Sequence, residues 1–400
     1  MTGAADDDPS GISTYSVAGA SAGLSMLWLA LATTPMMAVI QGMCARIGYV
    51  TGRGLAANIR TSIPLWLCYA IAAAVVIANT FNVGADFAGM AASANMLVPQ
   101  VSAPIWAIIF GALLLVTIIF LSYRIICDTI KWLTVSLFAY VITAFVIHPN
   151  WGEVLKALVI PQIKLDKTWM TTALGVMGTT ITPYLFFWQA SLEIEEEKSM
   201  GKATVHQRRG ATRAQIADMH FDVNTGMIFS NLIMFFIIVT TALTLYAHGM
   251  TNIGTAQEAA AALKPLAGRF ASLLFTLGIV GTGLLAIPAL AGSSAYVAAE
   301  IFSFREGLNE KPARAPRFYA VLAAGLIAGV IMALVHVDPI RALFYAAVLN
   351  GFVAIPLLYV IIRIASSAKV MGRWRSSTVA RVWGWITFAV MGAAAITIFV

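Results

Sequence analysis

The sequence predicts an all-α integral membrane protein with eleven membrane spans in a single domain, residues 1–400. Two features of the composition predict this class: 60% of the residues are hydrophobic and only 11% are charged. A soluble domain has about 25% charged residues. The third observation is that uncharged stretches long enough to cross a bilayer, about 20 residues each, recur along the whole chain. No polar stretch is long enough to fold by itself.

The first spans are deduced from the uncharged stretch 9–45 at the start of the chain. As one helix it would be about 55 Å long, whereas the hydrocarbon core measures about 30 Å. We therefore place spans 1 and 2 here, with the loop between them near Gly19–Gly23. Spans 2 to 11 are expected at residues 22–45, 63–94, 104–122, 132–147, 168–192, 223–247, 270–297, 318–335, 342–362 and 382–400.

These spans fall into two sets of five and one extra helix. Spans 1–5 occupy residues 1–147, spans 6–10 occupy 168–362, and span 11 occupies 382–400. The polar segment 193–218 is expected to be a cytoplasmic helical extension and loop. It contains four glutamates, which we interpret as a solvated helix end. A metal site is the alternative for these residues: Glu193, Glu195, Glu196 and Glu197.

The loop charges predict the orientation of the chain. With the N-terminus inside, 19 of the 25 lysines and arginines fall in inner loops. This asymmetry follows the positive-inside rule, and it places the C-terminus on the extracellular or periplasmic side of the plasma membrane. The net charge of +7 is then explained by the inner loops, so we expect the lipid bilayer and not nucleic acid as a partner.

Two spans contain a proline at corresponding positions. Asp8–Gly11 lies in span 1 and Thr182–Tyr184 lies in span 6, so each motif sits in the first helix of a five-helix set. Because five is odd, the second set must be inverted relative to the first. Interrupted helices at matching positions of two inverted halves are the best sequence indication of a transporter binding site.

The chemistry of these breaks predicts a cation site. A proline has no N–H, so the carbonyl four residues earlier loses its helical partner; here these are the carbonyls of Ala5 and Thr179. Proline also moves the preceding residue, Asp8 or Thr182, out of the helical region. Gly11 would let the first break widen. Two free carbonyls and a carboxylate form an oxygen-rich cation site. The alternative is a pair of proline kinks without a ligand.

Other polar residues within the spans are few. Asp86 is either a functional carboxylate or a hydrogen-bonding group that joins helices, with Asn79 or Asn82 as its partner. Asn350 either lines the pathway or holds helices together. We assign Asn224 and Asn231 to helix contacts alone.

Four motifs carry a resemblance to a known family: DPSG at 8–11, QGMCAR at 41–46, IGYVTGRGLA at 47–56 and GTTITP at 178–183. They resemble the NRAMP family of divalent metal transporters in helices 1, 2 and 6. The resemblance implies a LeuT-type fold of two inverted five-helix repeats plus an eleventh helix, with helices 1 and 6 broken at mid-membrane.

The same resemblance implies a ligand set. Asp8 matches the family's helix 1 aspartate, and Ala5 and Thr179 match its carbonyl positions. Gly11 stands where the family has asparagine, and Thr182 stands where it has methionine. Losing the thioether favours hard ions such as Mg²⁺ and Mn²⁺ over Fe²⁺, Zn²⁺ and Cd²⁺. The pattern is similar to the divergent NRAMP-related magnesium transporter branch.

The family's helix 6 histidines are replaced by Tyr184 and Gln189. We include Tyr184 in the metal set, and we assign Gln189, with Asp86 and Asn350, to the possible pathway. A tyrosine with a pKa near 10 carries no protons at neutral pH. We therefore expect uncoupled uptake of Mg²⁺, and of Mn²⁺, by alternating access. Asp86 is the residue most able to contradict this.

Several alternatives remain open from the sequence. A proton-coupled Mn²⁺/Fe²⁺ symporter, a LeuT-fold amino-acid or amine carrier, and a slow channel would share the architecture. A membrane enzyme is not expected, because no H-E-x-x-H motif is present. We expect no cofactor, with the metal ion as substrate, and we favour a monomer. Only seven residues precede Asp8, so we expect the inner half of span 1 to be short.

Overall fold

The computed structural model describes residues 8–120, 133–335 and 338–399. Within these ranges the regular structure is helical. Each predicted span corresponds to a helical segment, and spans 1, 5 and 6 contain the shorter helices.

The first five spans include one long helix that packs against several others. Span 3 has its most extensive contacts with span 8, and it also packs on spans 9 and 10. A short helix, Leu55–Ser62, connects spans 2 and 3. The spans are Pro9–Ala22 (span 1), Trp28–Thr51 (span 2), Leu65–Leu97 (span 3), Ala103–Phe120 (span 4) and Phe138–Val146 (span 5).

The second set begins with a helix in two pieces, which we call span 6a and span 6b. Short helices at Val205–Arg208, Ala256–Ala260 and Lys264–Ala267 lie in its connections. The spans are Lys167–Thr180 (6a), Pro183–Ser199 (6b), Arg213–Thr244 (7), Ala271–Phe302 (8), Pro316–Ala333 (9), Pro339–Ser366 (10) and Thr378–Thr397 (11).

Eight helices in the described ranges are long and apolar enough to cross a membrane by themselves. Span 1 and span 6a, with 14 residues each, do not reach this length. Span 5 passes the test only with Trp151–Val159, a helix that the sequence did not predict and that turns by 119° from it. The shorter segments therefore include the two spans that were expected to be interrupted.

Two predicted boundaries differ from the structure. Span 2 was expected at 22–45 but occupies Trp28–Thr51, since a 3₁₀ turn at Gly23–Met26 follows span 1. The helix continues past Arg46 to the left-handed Gly52, and the Arg46 guanidinium lies 2.6 Å from the His220 imidazole of span 7. Span 7 begins ten residues earlier than the predicted 223, where Thr212 and Gln215 form a capping box.

Buried polar side chains connect the spans. The Asn231 amide donates to the Thr34 hydroxyl at 2.8 Å, which confirms its predicted role in helix contacts. The outcome differs for Asn224, which is exposed. The Asn79 amide donates to the Ser294 hydroxyl at 3.0 Å and so joins span 3 to span 8. Such bonds satisfy polar groups that lipid cannot.

Four connections lie at one end of the bundle, which we call the basic end: 51–65, 199–213, 302–316 and 366–378. The Gly210 N–H donates to the Val50 carbonyl at 3.0 Å, and the Arg60 guanidinium donates to the Ser303 hydroxyl at 2.8 Å. These bonds hold separate connections together.

Span 6a and span 10 approach each other at two glycines. A Cβ on Gly178 would lie 2.2 Å from the Ala347 carbonyl oxygen and 2.4 Å from the Gly351 amide nitrogen. Real Cβ atoms do not come so close to main-chain atoms, so the helices pack at this distance only because both residues lack a side chain.

We expect Gly178→Ala to destabilise the protein by about 1–3 kcal/mol, the usual effect of overpacking. The matched control is Gly325→Ala in span 9, where a Cβ would meet nothing within 4 Å. Thermal unfolding in detergent, followed by tryptophan fluorescence, should show a lower Tm for Gly178→Ala alone. Equal Tm values for both variants would contradict the close contact.

Candidate metal-binding site

Asp8 begins span 1 as its N-cap residue. Its backbone is extended, with φ −76° and ψ 169°, and Pro9 follows at the first helical position, where no N–H is needed. The Asp8 Oδ1 atom accepts from the Gly11 N–H at 2.7 Å and from the Ser10 hydroxyl at 2.6 Å. Both bonds go to Oδ1, so the second oxygen, Oδ2, takes no part in them. The side chain is only 1% exposed.

The break in span 6 is present at the predicted place. Ile181, with φ −107° and ψ 66°, and Thr182, with φ −93° and ψ 136°, both leave the helical conformation. Pro183 then begins span 6b, and it cannot donate to the Thr179 carbonyl. The Thr182 hydroxyl is buried and has no hydrogen-bond partner among the described residues. Thr179 and Thr182 therefore provide oxygen atoms at this break.

The start of span 1 and the break in span 6 face each other. The Ser10 hydroxyl at the start of span 1 lies 3.2 Å from the Thr179 hydroxyl near the end of span 6a. The Tyr15 hydroxyl lies 3.4 Å from the Thr180 hydroxyl one turn away. Neither segment points towards lipid, and both are buried. The arrangement therefore brings Asp8, Thr179 and the break at Thr182 into one region of the bundle interior.

Gly11 does not widen the break in span 1, contrary to the sequence-based expectation. It continues the helix Pro9–Ala22 and is not among the glycines with positive φ. A Cβ placed on Gly11 would lie 3.4 Å from the Tyr15 ring and 3.5 Å from both Asp8 Oδ1 and the Thr179 hydroxyl. These are ordinary contact distances, so the glycine leaves room beside the carboxylate.

Tyr184 lies in the first turn of span 6b and is fully buried. Its carbonyl accepts from the Ser293 hydroxyl of span 8 at 3.0 Å. The hydrogen bond fixes the start of span 6b against span 8. The Tyr184 carbonyl thus has a protein partner, in contrast to the Thr179 carbonyl, whose helical donor is missing.

Gln189 and Asn350 lie further from the breaks. The Gln189 amide donates to Glu193 at 2.6 Å, while the Gln189 side-chain oxygen has no partner among the described residues. Both polar atoms of the buried Asn350 amide likewise have none. Asn350 precedes Gly351, which contacts span 6a, so span 10 brings an unpartnered amide next to that half-helix.

Asp86 is fully buried in span 3, and both of its carboxyl oxygens have no hydrogen-bond partner in the described part of the chain. It is close enough to Asp8 for the two carboxylate charges to interact. Asn79 does not bond to it but to Ser294, and Asn82 has no partner among the described residues. The expectation that Asp86 joins helices through these asparagines is therefore wrong.

Ala5 lies outside the described residues, so the structure does not place its carbonyl. Among the residues that it does place, no three histidine, cysteine or carboxylate side chains come together as a metal cluster. The candidate site is built instead from one carboxylate with hydroxyl and main-chain oxygens. Ser10 also belongs to this region, although it was not predicted as a site residue from the sequence. Its position directly after an aspartate and a proline could have indicated this role.

The glutamates at the end of span 6b are not a solvated helix end. Glu193 and Glu195 are each 7% exposed and Glu197 is 0% exposed, while Glu196 alone is exposed. They are buried because the connections of the basic end pack around them. Their partners are Gln189 for Glu193, Lys198 and Asn309 for Glu195, Tyr49 for Glu196, and Lys202 for Glu197.

Two further acids lie in the same region, which sequence reasoning missed because they are remote in the chain. Glu300 accepts from the Ala57 N–H at 2.9 Å and so caps the helix Leu55–Ser62. Glu306 lies in the connection after span 8, and burial raises the pKa of its carboxyl group to about 7. The Lys198 charge opposes this shift, and the Glu195 charge contributes to it.

Comparison with known proteins identifies relatives along the whole chain. The family described as "Natural resistance-associated macrophage protein-like" (Nramp) matches residues 1–400. A divalent metal cation transporter, MntH, from Klebsiella pneumoniae (strain 342) is 27% identical over 401 residues, covering 96% of this chain and 88% of its own length.

Two solved structures show the same fold. The Eremococcus coleocola manganese transporter is 17% identical with a TM-score of 0.74, covering 98% of this chain and 83% of its own. Mhp1, a nucleobase-cation-symport-1 family transporter, is 16% identical with a TM-score of 0.54, covering 100% of this chain and 92% of its own. The predicted all-α, LeuT-type architecture is thereby confirmed. The chain belongs to the Nramp family, whose members are membrane transporters and not enzymes.

Proposed function

We propose that this protein carries divalent metal ions into the cell, Mg²⁺ first and Mn²⁺ also, by alternating access and without proton coupling. The observation that carries the proposal is the buried Asp8 carboxylate where the start of span 1 meets the break in span 6. A lone carboxylate at mid-membrane depth is costly unless a cation or a proton compensates it. The K. pneumoniae relative is named for divalent metal cations, and the E. coleocola protein is named for manganese, which supports a metal cargo.

The donor atoms favour hard ions. Asp8 supplies a carboxylate oxygen, Thr179 a hydroxyl and a carbonyl without its helical donor, and Thr182 an unpartnered hydroxyl. Oxygen ligands suit Mg²⁺ and Mn²⁺, whereas a thioether selects softer metals. These three residues contribute no sulfur atom, so the site offers Fe²⁺, Zn²⁺ and Cd²⁺ no soft ligand that would raise its affinity for them. This supports an assignment to the NRAMP-related magnesium transporter branch.

The room at Gly11 supports Mg²⁺ in particular. Mg²⁺ dehydrates reluctantly and usually keeps several of its waters when it is bound. A Cβ on Gly11 would make ordinary contacts with Asp8 and Thr179, and its absence means that no side chain of this residue crowds the carboxylate. A partly hydrated ion fits such a site better than one that must be stripped of water.

Two residues of span 6b, Tyr184 and Gln189, disfavour proton coupling because they stand where the family has histidines. Gln189 cannot titrate, and its amide is engaged with Glu193. The rival proposal is a proton-coupled Mn²⁺/Fe²⁺ symporter, and one observation favours it: Asp86 is a second buried carboxylate that interacts with Asp8. We retain uncoupled transport as the main proposal, because two charges moving inward gain about 4.6 kcal/mol per 100 mV from the membrane potential alone.

A LeuT-fold amino-acid or amine carrier is the other alternative. Asp8 counts against an amino-acid substrate, since its carboxylate would repel the substrate carboxylate. The basic end is proposed to face the cytoplasm, which places the N-terminus inside and the C-terminus outside the plasma membrane. We favour a monomer with Mg²⁺ or Mn²⁺ as substrate and no cofactor.

Asp8→Ala should reduce saturable Mn²⁺ uptake to the background of protein-free liposomes, because the anchoring charge is removed. The matched control, Glu153→Ala, removes an exposed carboxylate far from the breaks and should transport normally. Isotope uptake into proteoliposomes provides the measurement. Wild-type uptake by the Asp8 variant would end the assignment of Asp8 as a ligand.

Thr182→Met should raise the affinity for Cd²⁺ by about tenfold, because a thioether then faces the break. Thr171→Met, at the opposite end of span 6a, makes the same change away from the site. Isothermal titration of purified protein with Mg²⁺, Mn²⁺ and Cd²⁺ in parallel measures the effect. An unchanged Cd²⁺ affinity would refute the role given to Thr182.

An internal pH dye should stay silent while Mn²⁺ enters proteoliposomes, and uptake should increase when an inside-negative potential is imposed. Acidification in a fixed ratio to Mn²⁺ would instead establish the symporter. Asp86→Asn then gives a direct test of the proton carrier, since it should abolish the acidification if Asp86 binds the proton.

A further inference from the structure

The basic end contains a large cavity that is separate from the metal-binding site. It has a volume of about 1070 Å³ and lies between the connection of spans 2 and 3, the segment after span 6b, and the end of span 10. No residue of the candidate metal site lines it. Its function is therefore not explained by the site at the two breaks.

The charge of this cavity is strongly one-sided. Four cationic side chains line it: Arg53, Arg209, Arg363 and Lys369. No aspartate or glutamate is among the described lining residues, and none of the four cations forms an ion pair within the described part of the chain. The neighbouring glutamates pair with Lys198 and Lys202 and not with the cations of the cavity. A cavity with four uncompensated positive charges repels a divalent cation, so the cargo is not its ligand.

The walls of the cavity are amphipathic. Apolar side chains of span 3 and span 10 form one part, including Leu67, Val360 and Ile364. Beside this part, Leu65 is 50% exposed and Trp66 is 72% exposed, as expected for residues that contact lipid at the membrane interface. A ligand that fills the cavity must therefore combine negative charge with an apolar portion.

Hydroxyl groups add hydrogen-bonding capacity next to the cations. Ser62, Ser366 and Ser367 line the cavity, and the buried Ser366 hydroxyl has no hydrogen-bond partner in the described residues. A phosphate group has several acceptor oxygens, and guanidinium groups bind it with good geometry. Arg363 also lies 5.9 Å from the centre of the Tyr359 ring, which keeps its guanidinium near the wall.

We propose that this cavity binds the headgroup of an anionic phospholipid from the inner leaflet, with the phosphate among the four cations and the acyl chains along spans 3 and 10. Basic cavities between helices on the cytoplasmic side suit such headgroups. The proposal rests on the orientation given above, but not on the identity of the transported ion. A bound lipid would connect the corner of spans 2 and 3 to the end of span 10.

The test uses the full-length protein purified in detergent without metal. Phosphatidylglycerol is compared with phosphatidylcholine, and lipid retention is measured by native mass spectrometry together with thermal stability. We expect phosphatidylglycerol to be retained preferentially by the wild type and to raise the Tm. In the double variant Arg363→Gln/Lys369→Gln the affinity for phosphatidylglycerol should fall about thirtyfold, because each basic side chain near an anionic surface contributes about 1 kcal/mol to binding.

The matched control is Lys156→Gln/Lys164→Gln, which removes two positive charges from the connection between spans 5 and 6 and should retain the preference. Glycerol phosphate supplies the headgroup chemistry without acyl chains. Equal stabilisation by glycerol phosphate and by phosphatidylglycerol would overturn the lipid assignment. No preference for phosphatidylglycerol in the wild type would overturn the site, even if the double variant were too unstable to measure.

Discussion

Main-chain polar groups within a bilayer must find partners, and the centre of this protein depends on how that requirement is met. A continuous helix would satisfy it without any ligand. Here Pro183 interrupts span 6 and Pro9 begins span 1, and the surrounding side chains supply part of the replacement: Asp8 caps span 1, and Ser10 links Asp8 to Thr179. The oxygens that remain without a donor are those that we assign to the ion.

Close packing keeps the break in span 6 in position. Span 6a lies against span 10 at Gly178 and Gly351, where a single added carbon would collide with main-chain atoms. Span 6b is fixed at its start by the bond from Ser293 to the Tyr184 carbonyl. These contacts hold each half-helix on a different neighbour. The break between them can therefore stay open to a ligand without the two halves joining into one helix.

The basic end contains charged side chains that are paired with an opposite charge and others that are not. Glutamates of span 6b are buried but paired, as in the contact of Glu197 with Lys202 at 2.7 Å. A short distance away, Arg53, Arg209, Arg363 and Lys369 surround a cavity with no acid among its described lining residues. The first arrangement holds the polypeptide together, because each buried charge has an opposite charge beside it. The second leaves positive charge available to something outside the polypeptide.

Much of the architecture could be predicted from the sequence, because lipid imposes a simple rule on hydrophobic length. The turn near Gly23, the break at Thr182–Pro183 and the N-capping position of Asp8 follow from local properties of glycine and proline. The helix boundaries were predicted less accurately. The prediction ended span 2 at the first charged residue after an apolar stretch, but the helix extends past Arg46, whose guanidinium lies beside His220 of a distant helix.

By itself, then, the sequence determined the helical membrane class, the interruption of span 6 and the residue types at that break and at the start of span 1, since these depend on neighbours within a few positions. Only the tertiary structure decided which groups meet. It placed Asp86 near Asp8 without an asparagine partner, buried the glutamates after span 6b, and left a space at Gly11 instead of a wider break. These outcomes depend on contacts between residues far apart in the chain, for which hydrophobic periodicity carries no information.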